Sequence, residues 1–194
     1  MKTVFFDIDT QIDFMFPAGA LYVPGAEDIL PAIAKLNQFA AAHGIPVIST
    51  MDSQTENDPE FRTWKPHCVA GTVGQEKPQQ TLLQTRSLIP SEKGQYELPA
   101  VQQILLEKRV FDCFSNPNLP ALLEQLDADL YVVYGVVTEI CVKFAAFGLL
   151  KTGKPVSIVT DAVRSLNPVD AEAMIAEFTS EGGQLTTVAE LTAG

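Results

Sequence analysis

The stretch that most restricts the fold is Tyr131-Val-Val-Tyr-Gly-Val-Val137, an apolar run without polar alternation, followed at once by Thr138, Glu139 and a helically spaced segment. A half-buried strand alternates apolar and polar side chains, so a continuous run belongs to a strand covered on both faces. Such strands are characteristic of parallel sheets, whose neighbours cannot be joined by tight hairpins and need crossovers, usually helices. Thr138, Glu139 and Lys143 interrupt residues 130–150, which makes the region a buried strand running into a helix rather than a membrane span.

The rest of the chain follows the alternation this demands. Residues 3–8 and 46–50 read as strands. Residues 28–43 carry Ile29, Leu30, Ile33, Leu36, Phe39 and Ala40 at i, i+3, i+4 spacing, with Gly44 where a helix would end. Further strands are expected at 103–110, 130–137, 156–160 and 184–188, and further helices at 118–126, 138–152 and 171–181. The expected fold class is α/β, three layers (α/β/α) around a mostly parallel central sheet. Residues 1–194 are expected to form one domain, since roughly 100–200 residues suffice for one core. The polar, Pro- and Gly-containing connection 52–77 is too long for a plain loop, and loops of that length are usually functional. Ligands of open parallel sheets bind at the carboxyl ends of the strands, which directs attention to the residues after Ile8, Thr50, Val110 and Val137.

Composition removes several classes of partner. Asp and Glu number 24 against 13 Lys and Arg, and the net charge of −11 repels phosphate backbones and anionic lipid. No nucleic-acid or membrane partner is expected. The N-terminal apolar run is cut by Asp7, unlike a secretory signal. Three cysteines without a CxxC pair suggest neither a disulfide framework nor a zinc ribbon. Free thiols fit a reducing compartment, so the expected location is the cytoplasm.

Among those thiols Cys141 has the most reactive context. With Thr138 as N-cap it falls in the first turn of a helix, where unpaired N–H groups and the helix dipole lower a thiol's pKa. On position alone it reads equally well as a small buried apolar residue. Cys68 and Cys113 have weaker contexts. A nucleophile needs a base, and His67 is one candidate; His43, at a helix end, is expected to serve the helix C-terminus. Asp7, Asp9 and Asp13 crowd the end of the first strand, where a partly desolvated carboxylate can take a proton. Period-two alternation puts Asp7 and Asp9 on one face, one structural and the other catalytic. Lys108 would supply positive charge to a thiolate or an oxyanion, although alone it reads as a snorkelling surface lysine.

These residues reach a resemblance. Asp9-Thr-Gln-Ile-Asp-Phe14 resembles the D-x-Q-x-D-F start of the isochorismatase-like cysteine hydrolases, the superfamily that includes nicotinamidases. Gly135-Val-Val-Thr-Glu-Ile-Cys141-Val is similar to its G-V-x-T-[DE]-x-C-V segment, and Lys108 stands between the two at a similar distance before the cysteine. The resemblance implies a triad in which Asp9 accepts the thiol proton, Cys141 attacks an amide carbonyl and Lys108 stabilises charge, with a thioester intermediate. It implies a cis peptide at Val136–Val137, the N–H groups of Val137 and Cys141 as oxyanion hole, and a homo-oligomer. It implies no organic cofactor.

Trp64-Lys-Pro-His67-Cys-Val-Ala-Gly-Thr-Val-Gly74 resembles the W-x-x-H-C-V-x-G-T-x-G stretch of nicotinamidases, whose Trp, with the Phe of the first motif, sandwiches a pyridine ring. Phe14 and Trp64 are the matching substrate-binding positions. The family's metal ligands, an Asp and a His spaced D-x-H plus the His of this stretch, map onto Asp52, Gln54 and His67. Gln54 departs from the pattern, since an amide oxygen is a poorer ligand for zinc or iron than imidazole. Two arrangements stay open. Glu60 or Asp58 completes a mixed O/N site for one divalent ion such as Zn, Mn, Fe or Mg, or Asp52, Gln54 and His67 form a hydrogen-bonded floor without metal. The expected function is a cysteine amidohydrolase acting on a small-molecule amide of nicotinamide type. The alternatives are an isochorismatase-type or ureide hydrolase, or a catalytically silent ligand-binding member of the fold.

Overall fold

The structure is a computed structural model that describes residues 1–96 and 100–193. Its centre is one seven-stranded sheet. In chain order the strands are β1 (Thr3–Ile8), β2 (Val47–Asp52), β3 (Arg86–Ile89), β4 (Gln103–Lys108), β5 (Leu130–Val136), β6 (Val156–Arg164) and β7 (Gln184–Thr186). They lie in the order β3-β4-β2-β1-β5-β6-β7, and every pairing between them is parallel. The helices are α1 (Ile12–Met15), α2 (Leu30–Ala42), α3 (Leu119–Leu126), α4 (Lys143–Leu150), α5 (Pro168–Ser180) and α6 (Val188–Thr192).

The buried strands divide their side chains between two cores, as the sequence pattern of β5 requires. Tyr131 and Val133 face α3, α4 and α5, where Leu122, Ala145, Ala146 and Phe178 are buried with Phe6 of β1. Val132, Tyr134 and Val136 face α2 and α6, against Phe5, Ile33, Leu36 and Val188. Three layers result, with β1 and β5 at the centre. Chain connections run from β1 to one side through β2 and reach β5 on the other, so the switch point lies between β1 and β5, where such sheets open a ligand crevice. Close approach there requires glycine: Gly135 has φ +117°, and a Cβ on it would meet the Ile8 carbonyl oxygen at 2.2 Å.

Several elements depart from the sequence reading, among them the unexpected α1 and β6, which runs past 160 to Arg164. β3 is a short edge strand whose side chains are largely exposed, so it lacks an apolar signature. The segment at 184–188 divides into β7 and α6, the latter started by a capping box between Thr187 and Glu190. The helix expected at 138–152 begins as a π-type turn over Thr138–Val142, in which the Val142 N–H reaches back to the Val137 carbonyl at 3.1 Å, before α4 proper. Thr138 makes no capping hydrogen bond, and the cap position is Val137.

Asp7 is the structural carboxylate of the first strand. It accepts hydrogen bonds from Thr10 Oγ1 at 2.7 Å and Ser49 Oγ at 2.9 Å, and pairs with Lys77 Nζ at 3.3 Å. Lys77, from the loop after β2, also donates to Thr10 Oγ1 at 2.9 Å, and its side chain is 1% exposed. Gln103 extends the network from Ser49 to the Thr81 carbonyl, and Asn37 joins that carbonyl to Tyr134. Removing one partner of a buried pair leaves an uncompensated charge. Lys77→Met is therefore expected to cost about 3–5 kcal/mol in urea unfolding, and adding Asp7→Asn should recover part of it. Strictly additive losses would show that the pair is not coupled.

Candidate active site

Four strands end at one place. Asp9 directly follows β1, Asp52 closes β2, Lys108 closes β4 opposite Asp52 in the strand register, and Cys141 lies in the turn after β5. All four are buried. Lys108 Nζ lies 2.8 Å from Asp9 Oδ2, 2.5 Å from Asp52 Oδ1 and 3.8 Å from Cys141 Sγ. Asp9 leaves the strand with φ +48°, an unusual conformation for a residue with a side chain. It is held there by Thr50, whose hydroxyl donates to Asp9 Oδ1 at 2.7 Å and whose carbonyl accepts the Asp9 N–H at 3.2 Å. Asp9 Oδ2 is ion-paired with Lys108, and the Asp9 carboxylate also interacts with the Cys141 side chain.

Two carboxylates share one ammonium, and the electrostatics follow from that imbalance. Burial works against the Lys108 charge, but Asp52 and Asp9 outweigh it and hold the amine well above its ordinary range. Burial pushes Asp52 up to about 7 against the pull of Lys108, and the neighbouring Asp9 charge adds to the rise. Cys141 is pushed well above an ordinary thiol by burial, opposed by Lys108 and reinforced by Asp9 and Asp52. This corrects the sequence expectation of a thiol acidified by a helix N-terminus: the turn around Cys141 is not a regular first helical turn, and two nearby anions oppose a third. The surroundings therefore favour the thiol form of Cys141 over the thiolate.

The second group of predicted residues lies beside the first. His67 Nδ1 is 2.7 Å from the Lys65 carbonyl. A carbonyl can only accept, so Nδ1 carries a proton and Nε2 is the ring nitrogen turned toward the carboxylates. Nε2 faces Asp52 Oδ2 at 3.9 Å and Glu60 Oε1 at 3.8 Å. Gln54 Nε2 donates to Glu60 Oε2 at 3.1 Å, while Gln54 Oε1 is buried without a partner. Asp58 stays outside this group, since its carboxylate accepts the Glu60 backbone N–H and caps a short turn. Among the described residues, no three His, Cys, Asp or Glu side chains form a ready-made metal cluster.

Above this floor the walls are apolar. Phe14 and Trp64 both line the pocket, with Val23, Phe111, Ile140 and Leu166. That suits a small ligand held by apolar contact with a few polar groups to orient it. Phe14 packs on His67 at 5.4 Å between ring centroids, and Trp64 meets Phe111 edge-on at 6.5 Å. Val137 also lines the pocket, and the Val136–Val137 peptide is cis. Elsewhere, Cys68 and Cys113 are buried thiols whose pKa burial pushes up. His43 bonds the Phe39 carbonyl at the end of α2, away from the pocket.

The sequence reading missed the residues that hold these groups in place. Gln11 makes a reciprocal pair with the Asp52 backbone, accepting its N–H at 2.7 Å and donating to its carbonyl at 2.8 Å. Asp13 accepts the N–H groups of Cys68 at 2.7 Å and Ala20 at 2.9 Å, tying the His67 loop to the loop that carries Leu21. Gly74 lies so close to Asp13 that a Cβ there would meet its carboxylate at 2.2 Å. The D-x-Q-x-D spacing was the available signal for Gln11 and Asp13. Nothing in the sequence marked Phe111 or Leu166. Asp9→Asn removes one of the two anions that oppose the thiolate while leaving Lys108 in place. The pH midpoint for alkylation of Cys141 is expected to fall in this variant; an unchanged or higher midpoint, followed by mass spectrometry, would refute the electrostatic reading.

Residues 3–190 match the isochorismatase domain family. The chain is 26% identical to the nicotinamidase of Escherichia coli K12 over 207 aligned positions, covering 94% of this chain and 93% of that protein. The zinc complex of Pyrococcus horikoshii pyrazinamidase superposes with a TM-score of 0.82 at 26% identity, covering 96% of this chain and 99% of the other. N-carbamoylsarcosine amidase of Thermoplasma acidophilum shares the fold, with a TM-score of 0.78 at 24% identity and 97% of each chain covered. With the family matched across nearly the whole of the chain, this protein belongs to the isochorismatase domain family.

Proposed function

We propose that this protein is a cysteine amidohydrolase that cleaves a small, neutral aromatic carboxamide of the nicotinamide type. The observation that carries the reading is the buried Lys108 ammonium held between Asp9 and Asp52 within 3.8 Å of the Cys141 sulfur, beneath an apolar pocket. Its similarity to a nicotinamidase and a pyrazinamidase supports the choice of amide.

In the proposed reaction Asp9 takes the Cys141 proton as sulfur attacks the carbonyl carbon, and the Lys108 charge steadies the anion formed. The N–H groups of Val137 and Cys141 receive the developing oxyanion; donors of this kind are typically worth about 10²–10³ in rate. Asp9 returns its proton to the departing nitrogen as the C–N bond breaks, leaving a thioester and ammonia. Asp9 then draws a proton from water, which attacks the thioester, expels the thiol and leaves the carboxylic acid. Phe14 and Trp64 hold the ring, with Phe111 beside Trp64.

Among the described residues Asp52, Glu60 and His67 form no ready-made cluster, but they lie near enough together to close around a divalent ion. Two ligands of one zinc-like ion at about 2.1 Å each lie no more than about 4.2 Å apart. The 3.8 and 3.9 Å separations around His67 Nε2 satisfy that limit, and the negative surplus there would be relieved by a cation. Asp52, Glu60 and His67 would hold it, with Gln54 orienting Glu60, and a bound ion would supply positive charge for the ring nitrogen of the substrate. An anionic substrate is disfavoured, because Asp9, Asp52 and Glu60 already crowd this floor around Lys108 and His67. A silent binding protein is disfavoured by the assembled Asp9–Lys108–Cys141 contacts.

Purified protein is expected to release ammonia from nicotinamide, and Cys141→Ala to lose at least about 10³-fold while remaining folded. Release that survives the substitution would remove Cys141 from the reaction. Because Asp52 holds a proton below about 7, manganese or zinc should bind more weakly at pH 6 than at pH 8, by up to about tenfold per pH unit for each proton displaced. Calorimetric affinities independent of pH would exclude Asp52 as a ligand.

A further inference from the structure

The catalytic pocket adjoins an outer groove, and the same three side chains, Trp64, Ile140 and Leu166, line both. The groove carries its own polar groups: Lys143 and Glu177, paired at 2.8 Å, line it together with Asp170 and Asn167. Whether a substrate with a ring substituent can extend from pocket to groove therefore depends on where Trp64, Ile140 and Leu166 stand.

Leu166 occupies the short connection between β6 and α5, so the backbone of that connection decides its position. Glu139 fixes that backbone. Its Oε1 accepts the N–H of Leu166 at 2.9 Å and the N–H of Asn167 at 2.7 Å. Both bonds converge on the same carboxylate oxygen, so one side chain holds two successive backbone groups. Glu139 Oε2 is buried without a partner, so the grip on the connection is made through one oxygen. On the far side of the connection Arg164 Nε donates to the Gly25 carbonyl at 2.9 Å, close to the Val23 wall. Glu139 is two residues before Cys141 and Ile140 is next to it, so the wall is held in register with the attacking sulfur rather than with solvent-facing structure.

We infer that Glu139 is a positioning residue for substrate size: by holding Leu166 against Trp64 and Ile140 it closes the pocket off from the groove and confines the substrate to a single small ring. The inference rests on the proposal that amides reach Cys141 through this pocket. Loss of the Glu139 grip should relax size selection while leaving the Asp9–Lys108–Cys141 chemistry in place. Bulky amides should gain, and nicotinamide should lose through KM rather than kcat.

Two independent arms test this. Alkylation of Cys141 by iodoacetamide, a small amide-like probe, is compared with that by N-phenylmaleimide, a bulky one, at one pH with the site read by mass spectrometry. The wild-type preference for the small probe should shrink by about tenfold in Glu139→Ala and in Leu166→Ala, the scale on which small changes in an apolar pocket discriminate. Glu139→Gln, which keeps an acceptor at Oε1, should preserve it. In the second arm KM for nicotinamide should rise in Glu139→Ala with kcat within about threefold of wild type. If Glu139→Ala does not fold, Glu139→Asp, one methylene too short to reach both N–H groups, should give an intermediate probe ratio. A wild-type ratio in whichever of these folds, or in Leu166→Ala, overturns the inference. A wild-type protein inactive on nicotinamide would count against the proposed function instead, since the alkylation arm does not require turnover.

Discussion

The buried Lys108 ammonium is the interaction around which the rest of the site is arranged. A lysine that is 1% exposed keeps its charge only because Asp9 and Asp52 approach it, and these three side chains come from the ends of three strands. Parallel pairing of β4, β2 and β1 in one register delivers those ends to the same height, and β5 delivers the Cys141 turn next to them. The uninterrupted apolar β5 is thus more than core filling. It allows the central strands to be buried on both faces, and their carboxyl ends to open on a common crevice.

Much of this architecture was legible in the sequence. The apolar run at 130–137 called for a parallel sheet, and the rule that ligands gather at strand ends pointed to Asp9, Asp52 and Cys141. Lys108 became legible through the resemblance, because a lysine taken alone reads as surface. Local conformations that depend on tertiary contact were not legible. Nothing in the residue types announces that Asp9 turns to φ +48°, that the chain after Val137 opens with a π-type turn, or that Lys77 is buried against Asp7. The acidified thiol was inferred from a regular helix start, and burial of the sulfur, with the two carboxylates beside it, reverses the direction.

Gln54 shows how one substitution redistributes roles among neighbours. Its amide donates to Glu60, and Glu60 in turn faces His67 Nε2, so Gln54 orients the carboxylate beside that ring. Oxygen-rich donor sets suit harder cations than imidazole-rich ones. The sequence reading left Glu60 and Asp58 as alternatives, and the contacts separate them: Asp58 caps the turn that presents Glu60.

The shared carboxylate of Asp13 has a mechanical meaning. It is bonded to the backbone of Cys68 in the loop that carries His67 and to Ala20 in the loop that carries Leu21, so two segments that face each other across the pocket are tied to one point on α1. Flexing of either segment is resisted by both. A pocket braced in this way enters the encounter with its ligand already near its final shape, and less of the binding free energy is spent on ordering loops.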